Sequence, residues 1–188
     1  MSIERYTRVA IFLHWLIALA VIGQIALGWY LGEVPRGVPA RTTWVNLHKS
    51  IGLVIGLLAL ARLAWRLTHR PPALPASLQT LERRLAPIAH GLLYACLIGM
   101  PLAGYIASNH SRFGVRFFGL LLPPWGADDP VIYRFFTGVH GVLARVFVVL
   151  IVLHVIAALK HALIDRDTVL ERMLPAWAMR RRTARPPN

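Results

Sequence analysis

The chain has 188 residues, of which 56% are hydrophobic and only 15% charged, with a mean hydropathy of +0.55. That composition argues against a water-soluble globule and makes a bilayer its natural solvent. The net charge of +13 does not point to nucleic acid, because the 21 Lys and Arg residues cluster between and beyond apolar stretches instead of interleaving with aromatics on one face. Cys96 stands alone, so no intrachain disulfide can form.

Crossing about 30 Å of hydrocarbon takes roughly 20 apolar residues. In chain order, the windows that satisfy this are 9–32, 44–67, 85–108 and 135–160. The second carries Lys49, Arg62 and Arg66, but each lies near an end, where a long cationic side chain can snorkel to the headgroups. The first is longer than a signal-peptide core and lacks a following small-residue cleavage site, so it is expected to remain in the mature protein. The expected fold is an all-α membrane protein, a four-transmembrane-helix up-down bundle over 1–175, with a basic, disordered cytoplasmic tail at 176–188.

The connections fit this topology. "GEVPRGVPA" and "HRPPALPAS" are Gly- and Pro-rich turns, and "SRFGVRFFGLLLPPWGADDP" is too interrupted to span and is expected to lie along the outer interface. Fourteen basic residues, including Arg62, Arg66, Arg70, Arg83 and Arg84, fall on the side of the termini. Six fall on the other side, and Arg145 lies within the fourth span. The positive-inside rule then makes both termini cytoplasmic.

Eight histidines are the unusual feature, and His14, His48, His90, His140 and His154 lie in or beside spans. Intramembrane ionisable groups are costly enough to suggest function. His140 and His154 are 14 residues apart, about 21 Å of helix rise with a net rotation of about 40°, so they share one face at opposite depths. One metal cannot bridge that distance when metal–imidazole bonds are ~2 Å, and each histidine needs a partner on another helix. Depth selects His14 for His154 at the inner level and His48 for His140 at the outer level, with His90 as the competitor to His14. A two-histidine site is poor for structural zinc, which usually takes four protein ligands. It suits six-coordinate haem, whose porphyrin supplies four nitrogens and two apolar faces. Gly52, one turn from His48, and Gly138 and Gly141 beside His140 would let backbone approach such a macrocycle, although glycine is common in any membrane helix.

The segments "RYTRVAIFLHW", "NLHKSIGLVIGLLALARLAWRL", "IAHGLLYACLIGMPLAGY", "FFGLLLP", "HGVLARVFVVLIVLHVIAALKH" and "DRDTVLERMLP" together resemble the bacterial cytochrome b561 family, and also the membrane cytochrome b subunit of Ni/Fe-hydrogenases. The resemblance runs from Tyr6 to Pro175. It implies a four-helix bundle enclosing two b-type haems in the bacterial inner membrane. It also implies that His14 and His154 hold the inner haem iron, that His48 and His140 hold the outer one, and that ubiquinone is the lipid partner. Some members are implied to oxidise superoxide at the outer, periplasmic face, where Arg36, Arg41, Lys49, Arg112, Arg116 and Arg134 would attract an anion.

His161, two turns beyond His154, is a candidate for proton exchange with quinone, the alternative being a solvated histidine at a helix end. Lys49 and Arg62 are candidates to hold haem propionates, and Arg66 is a snorkelling residue or a third such group. Arg145 lies well round the helix from both histidines of its span and is expected to reach a neighbouring helix, a chain–chain contact or the outer headgroups. His69 and His110 are expected to be solvated loop residues.

Two saturated haems leave no open coordination site, which disfavours oxygen chemistry and favours transmembrane electron transfer between an outer-face partner and the quinone pool. Two rivals remain open. One is the cytochrome b subunit of a hydrogenase or dehydrogenase complex. The other, of a different class, is a haem-free histidine-based ion or proton transporter, against which stands the absence of Asp and Glu from the spans. The donor at the outer face, whether a small molecule or a partner subunit, is unspecified, and a homodimer is compatible with the sequence.

Overall fold

The computed structural model describes residues 4–73, 78–175 and 178. The tail expected over 176–188 lies, apart from Ala178, outside the described residues, as does the second half of the "HRPPALPAS" turn.

Four long helices carry the fold: α1 (Arg8–Glu33), α2 (Pro39–Thr68), α3 (Thr80–Asn109) and α4 (Pro130–Lys160). All four are long and apolar enough to cross a membrane. Their starts are written locally. The Thr7 hydroxyl accepts from the Ala10 N–H at the head of α1, and Gln79 and Glu82 form a capping box on α3. The Asp129 carboxylate accepts from the N–H groups of Val131 and Ile132 on α4, while α2 and α4 both begin with proline, whose missing N–H would have been unpaired there anyway. Each helix starts earlier than the apolar windows suggested, by one residue in α1 and by five in α2, α3 and α4, because these caps lie beyond the apolar run.

Leu19, Ile22, Leu57, Val149 and Val152 are exposed, as expected of helices whose outer faces meet lipid instead of water. The buried core is small and lies at mid-height: Ile17 and Val21 from α1, Ile55 and Ala59 from α2, Cys96 and Leu97 from α3, and Phe147 from α4. Helix α1 packs on α2, α2 on α3 and α3 on α4, whereas α4 approaches the backbones of α1 and α2 only sparsely. The backbones of α4 and of the α1 and α2 pair thus stand apart along a slot whose middle is filled by the core side chains.

The long connection between α3 and α4 adds a feature to the all-α expectation, an antiparallel hairpin of β1 (Val115–Phe117) and β2 (Leu120–Leu122). Its two-residue turn, Phe118 and Gly119, has φ of 47° and 95°, the double positive φ of a tight hairpin turn. The hairpin is fastened to α2. Fully buried Ser50 accepts from the Phe118 N–H at 2.8 Å, its hydroxyl lies 2.8 Å from the Asn46 carbonyl and 3.1 Å from that of Arg116, and Lys49 Nζ donates to the Gly114 carbonyl at 2.9 Å.

At the opposite end, α4 passes into a π-helical turn (His161–Asp165) and a short 3-10 turn (Glu171–Met173). The segment returns across the start of α1. Trp15 Nε1 donates to the Met173 carbonyl at 2.8 Å, the Tyr6 N–H donates to the Arg172 carbonyl, and the Arg5 guanidinium donates to that of Leu174. This strap joins α1 to the chain beyond α4, two elements that pack little on each other higher up.

Candidate functional site

The structure brings the four histidines together in the two pairs that depth selected. The rings of His14 (α1) and His154 (α4) lie with centroids 6.2 Å apart, and those of His48 (α2) and His140 (α4) lie 6.1 Å apart. The first pair faces the slot near the strap and the second faces it near the hairpin, with Phe147 seven residues from each histidine of α4.

These separations test whether haem fits. Two axial nitrogens on opposite sides of one iron stand about 4 Å apart, twice a metal–imidazole bond of about 2 Å, and the ~1 Å from each nitrogen to its ring centre brings the centroids to about 6 Å. Both pairs meet that value. Ordinary core histidines bridge helices by hydrogen bonds, because a buried polar atom left unpaired costs roughly 1–3 kcal/mol. Among the described residues the side chains of His14, His48 and His154 make no hydrogen bond, and His48 Nδ1 is fully buried without a partner. The His140 ring lies with Nδ1 2.9 Å from the Met100 carbonyl, the arrangement that puts the proton on Nδ1 and turns Nε2 toward a metal. The chemistry and spacing of the donor set fit a bis-imidazole haem at each level.

His90 (α3) also reaches the strap-side pair, with its centroid 5.7 Å from that of His154. The remaining candidates are placed more variedly. Lys49 holds the hairpin through Gly114, and Arg62 donates to the Ala10 carbonyl at 2.7 Å, tying α2 to α1 one turn below His14. A Cβ on Gly52 would meet Gln24 at 3.3 Å, so this glycine serves the contact between α1 and α2. Gly138 and Gly141 have open space where a Cβ would project. Arg145 is exposed on α4 and makes no hydrogen bond or ion pair among the described residues.

His110 departs from the expectation of a solvated loop residue. It caps α3, its Nδ1 lies 3.0 Å from the Ala127 carbonyl, and it packs edge-on against Trp125. His69 remains at the surface, stacked on Trp65 with centroids 3.7 Å apart. His161 is buried, and its Nδ1 lies 2.9 Å from Asp167 Oδ2 and 3.1 Å from Asp165 Oδ2, so it is not the solvated helix-end residue that the sequence allowed.

Sequence reasoning missed two glycines on which the imidazoles rest. The ring of His48 lies over Gly28, 3.5 Å from where a Cβ would stand, and that of His140 lies over Gly104 at 3.2 Å. Neither is near its histidine in sequence, and only the helix azimuths bring them together.

Residues 5–176 match the family model described as prokaryotic cytochrome b561. The chain is 34% identical over 172 residues to cytochrome b561 homolog 2 of Escherichia coli (strain K12), covering 91% of this chain and 92% of that protein. It is 26% identical over 172 residues to cytochrome b561 homolog 1 of the same organism, covering 92% and 98%. With the probable superoxide oxidase CybB of Yersinia pestis it shares 29% identity over 176 residues, 92% of this chain and 97% of that protein. Four membrane-crossing helices, imidazole pairs facing a slot and a match over nearly the whole length agree: the chain belongs to the prokaryotic cytochrome b561 family, b-type cytochromes that transfer electrons across bacterial membranes.

Proposed function

We propose that the domain over 1–175 carries two b haems, one between His14 and His154 and one between His48 and His140, and passes electrons between a redox partner at the hairpin face and ubiquinone in the membrane. The observation that carries this reading is the pair of ring separations, 6.2 Å and 6.1 Å, at two depths along one slot. Bound haem supplies a one-electron iron couple with no free coordination position, which suits outer-sphere transfer.

The residues of the chain do the rest. His14 is favoured over His90 as the partner of His154 because α3 and α4 are packed together, leaving no room for a macrocycle, while α1 and α4 stand apart. His140 is oriented by the Met100 carbonyl, and the mid-height cluster with Phe147 excludes water between the two levels. Arg62, which reaches the Ala10 carbonyl one turn below His14, and Lys49, beside His48 in the chain, would hold the propionates of the two haems by charge-assisted hydrogen bonds. The strap end is the cytoplasmic face, with both termini there, by the distribution of basic residues. His161, buried at that end two turns beyond His154, exchanges the proton that accompanies quinone reduction.

At the hairpin face, Arg112 and Arg116 line a cleft of ≈ 350 Å³ with Asn109, Ser111 and Asp128, and they attract a small anionic donor. Superoxide is the donor this reading favours, by likeness to the relative from Yersinia pestis named a probable superoxide oxidase. The test is reconstitution of purified holoprotein with ubiquinone and a superoxide-generating system. Superoxide-dependent quinol formation supports the reading, and its absence in a protein holding both haems removes superoxide as the donor.

A further inference from the structure

The turn after α4 is built around one side chain. The backbone leaves the α-helix through the π-helical turn His161–Asp165, a conformation that is rare and often marks functional sites. It then reverses at Arg166, a non-glycine residue with φ of 52°. The reversal brings Asp167 back beneath His161: its N–H donates to the His161 carbonyl at 3.1 Å, and its Oδ2 lies 2.9 Å from His161 Nδ1. Oδ1 of the same carboxylate accepts from the Val169 N–H at 2.9 Å, so both oxygens are fixed.

Around this pair stand Lys160, Asp165 and, from α3, Glu82. Lys160 Nζ bridges Glu82 Oε1 at 2.7 Å and Asp165 Oδ2 at 2.6 Å. The bridge engages the Asp165 oxygen that also approaches His161, which leaves Asp167 as the carboxylate committed to the imidazole. With Nδ1 so occupied, His161 Nε2 makes no hydrogen bond among the described residues. A histidine whose one nitrogen is held by a carboxylate and whose other is free is arranged for directed proton transfer.

We propose that Asp167 is the positioning residue for proton delivery to quinone. It fixes the His161 ring with Nδ1 on the carboxylate and Nε2 facing a quinone carbonyl oxygen. This rests on the quinone site proposed above. Reduction of quinone to quinol consumes two electrons and two protons. The electrons arrive singly from the cytochrome, one proton passes from His161 Nε2 to a carbonyl oxygen and is replaced from water, and the second comes from the aqueous phase.

The test uses dithionite-reduced holoprotein, mixed in a stopped-flow instrument with either decylubiquinone, which must take up protons, or ferricyanide, which takes an electron and none. Asp167→Asn keeps the shape but removes the charge that holds the imidazole. It is expected to slow reoxidation by quinone about 10–100-fold, within the range general acid–base catalysis contributes, and to leave reoxidation by ferricyanide unchanged. Asp167→Glu is expected to recover part of the quinone rate. The double variant with His161→Gln should be no slower than His161→Gln alone, because the two act as one unit.

Equal slowing with both oxidants, loss of haem from the Asn variant, or an unaltered quinone rate would each overturn the role of Asp167. If His161→Gln leaves the quinone rate intact, the quinone site itself is misplaced. That outcome is distinguishable from failure of Asp167 alone, in which only the His161 variant is slow.

Discussion

Gly104 offers a perturbation whose size follows directly from the coordinates. A Cβ placed there would stand 3.2 Å from His140 Nδ1 and 3.5 Å from its Cε1, inside ordinary contact for the first atom. The ring must give by a few tenths of an ångström, yet it is held on one side by the Met100 carbonyl at 2.9 Å and, in the proposed site, on the other by iron. Metal–nitrogen distances tolerate about 0.2 Å. Gly104→Ala is therefore expected to weaken the hairpin-side haem about 10–100-fold, the usual cost of disturbing a group that orients a ligand. Backbone propensity acts the other way, since alanine stabilises a helix by about 1 kcal/mol over glycine.

The control is Gly28→Ala, whose Cβ would meet His48 at an ordinary 3.5 Å and which should keep both haems. Haem per chain and the rate of haem transfer to an excess of apomyoglobin measure the effect. A Gly104→Ala protein that retains both haems at the wild-type transfer rate would refute the close packing of this ring.

Ser50→Ala removes the buried hydroxyl that accepts from the Phe118 N–H and should loosen the hairpin by about 1 kcal/mol. Limited proteolysis within 112–126 should then quicken while the helices stay intact, and unchanged cleavage would mean that apolar contacts alone hold the hairpin. Trp15→Phe removes the donor to Met173 and is expected to cost about 1 kcal/mol, a fall in Tm of about 2–4 °C, with faster loss of the strap-side haem. A melting curve that overlays the wild type would contradict a fastening role for the strap. His90→Ala should keep two haems per chain, and a fall to one would transfer the ligand role from His14 to His90.

Much of this was legible in the sequence, for reasons that differ from residue to residue. The spans follow from length and hydropathy, and the matching of His14 with His154 and of His48 with His140 follows from helix rise, since depth in a membrane is a one-dimensional quantity that sequence position measures. Azimuth between helices is not. Nothing local relates Gly104 or Met100 to His140, and Gly52, plausible beside His48, proves to face Gln24. The hairpin escaped notice because three-residue strands between glycines and prolines carry too little alternation to be read. Asp167 escaped because its contact depends on the π-helical turn and the left-handed Arg166, a local path that apolar periodicity does not encode.

Two haems with paired histidine ligands are tested most directly by haem counted per chain in the four single variants His14→Ala, His48→Ala, His140→Ala and His154→Ala, each followed by a redox titration of its optical spectrum. The wild type should hold two haems. His14→Ala and His154→Ala should lose the same redox component, and His48→Ala and His140→Ala the other. One haem in the wild type, or a loss that pairs the histidines differently, would contradict that arrangement.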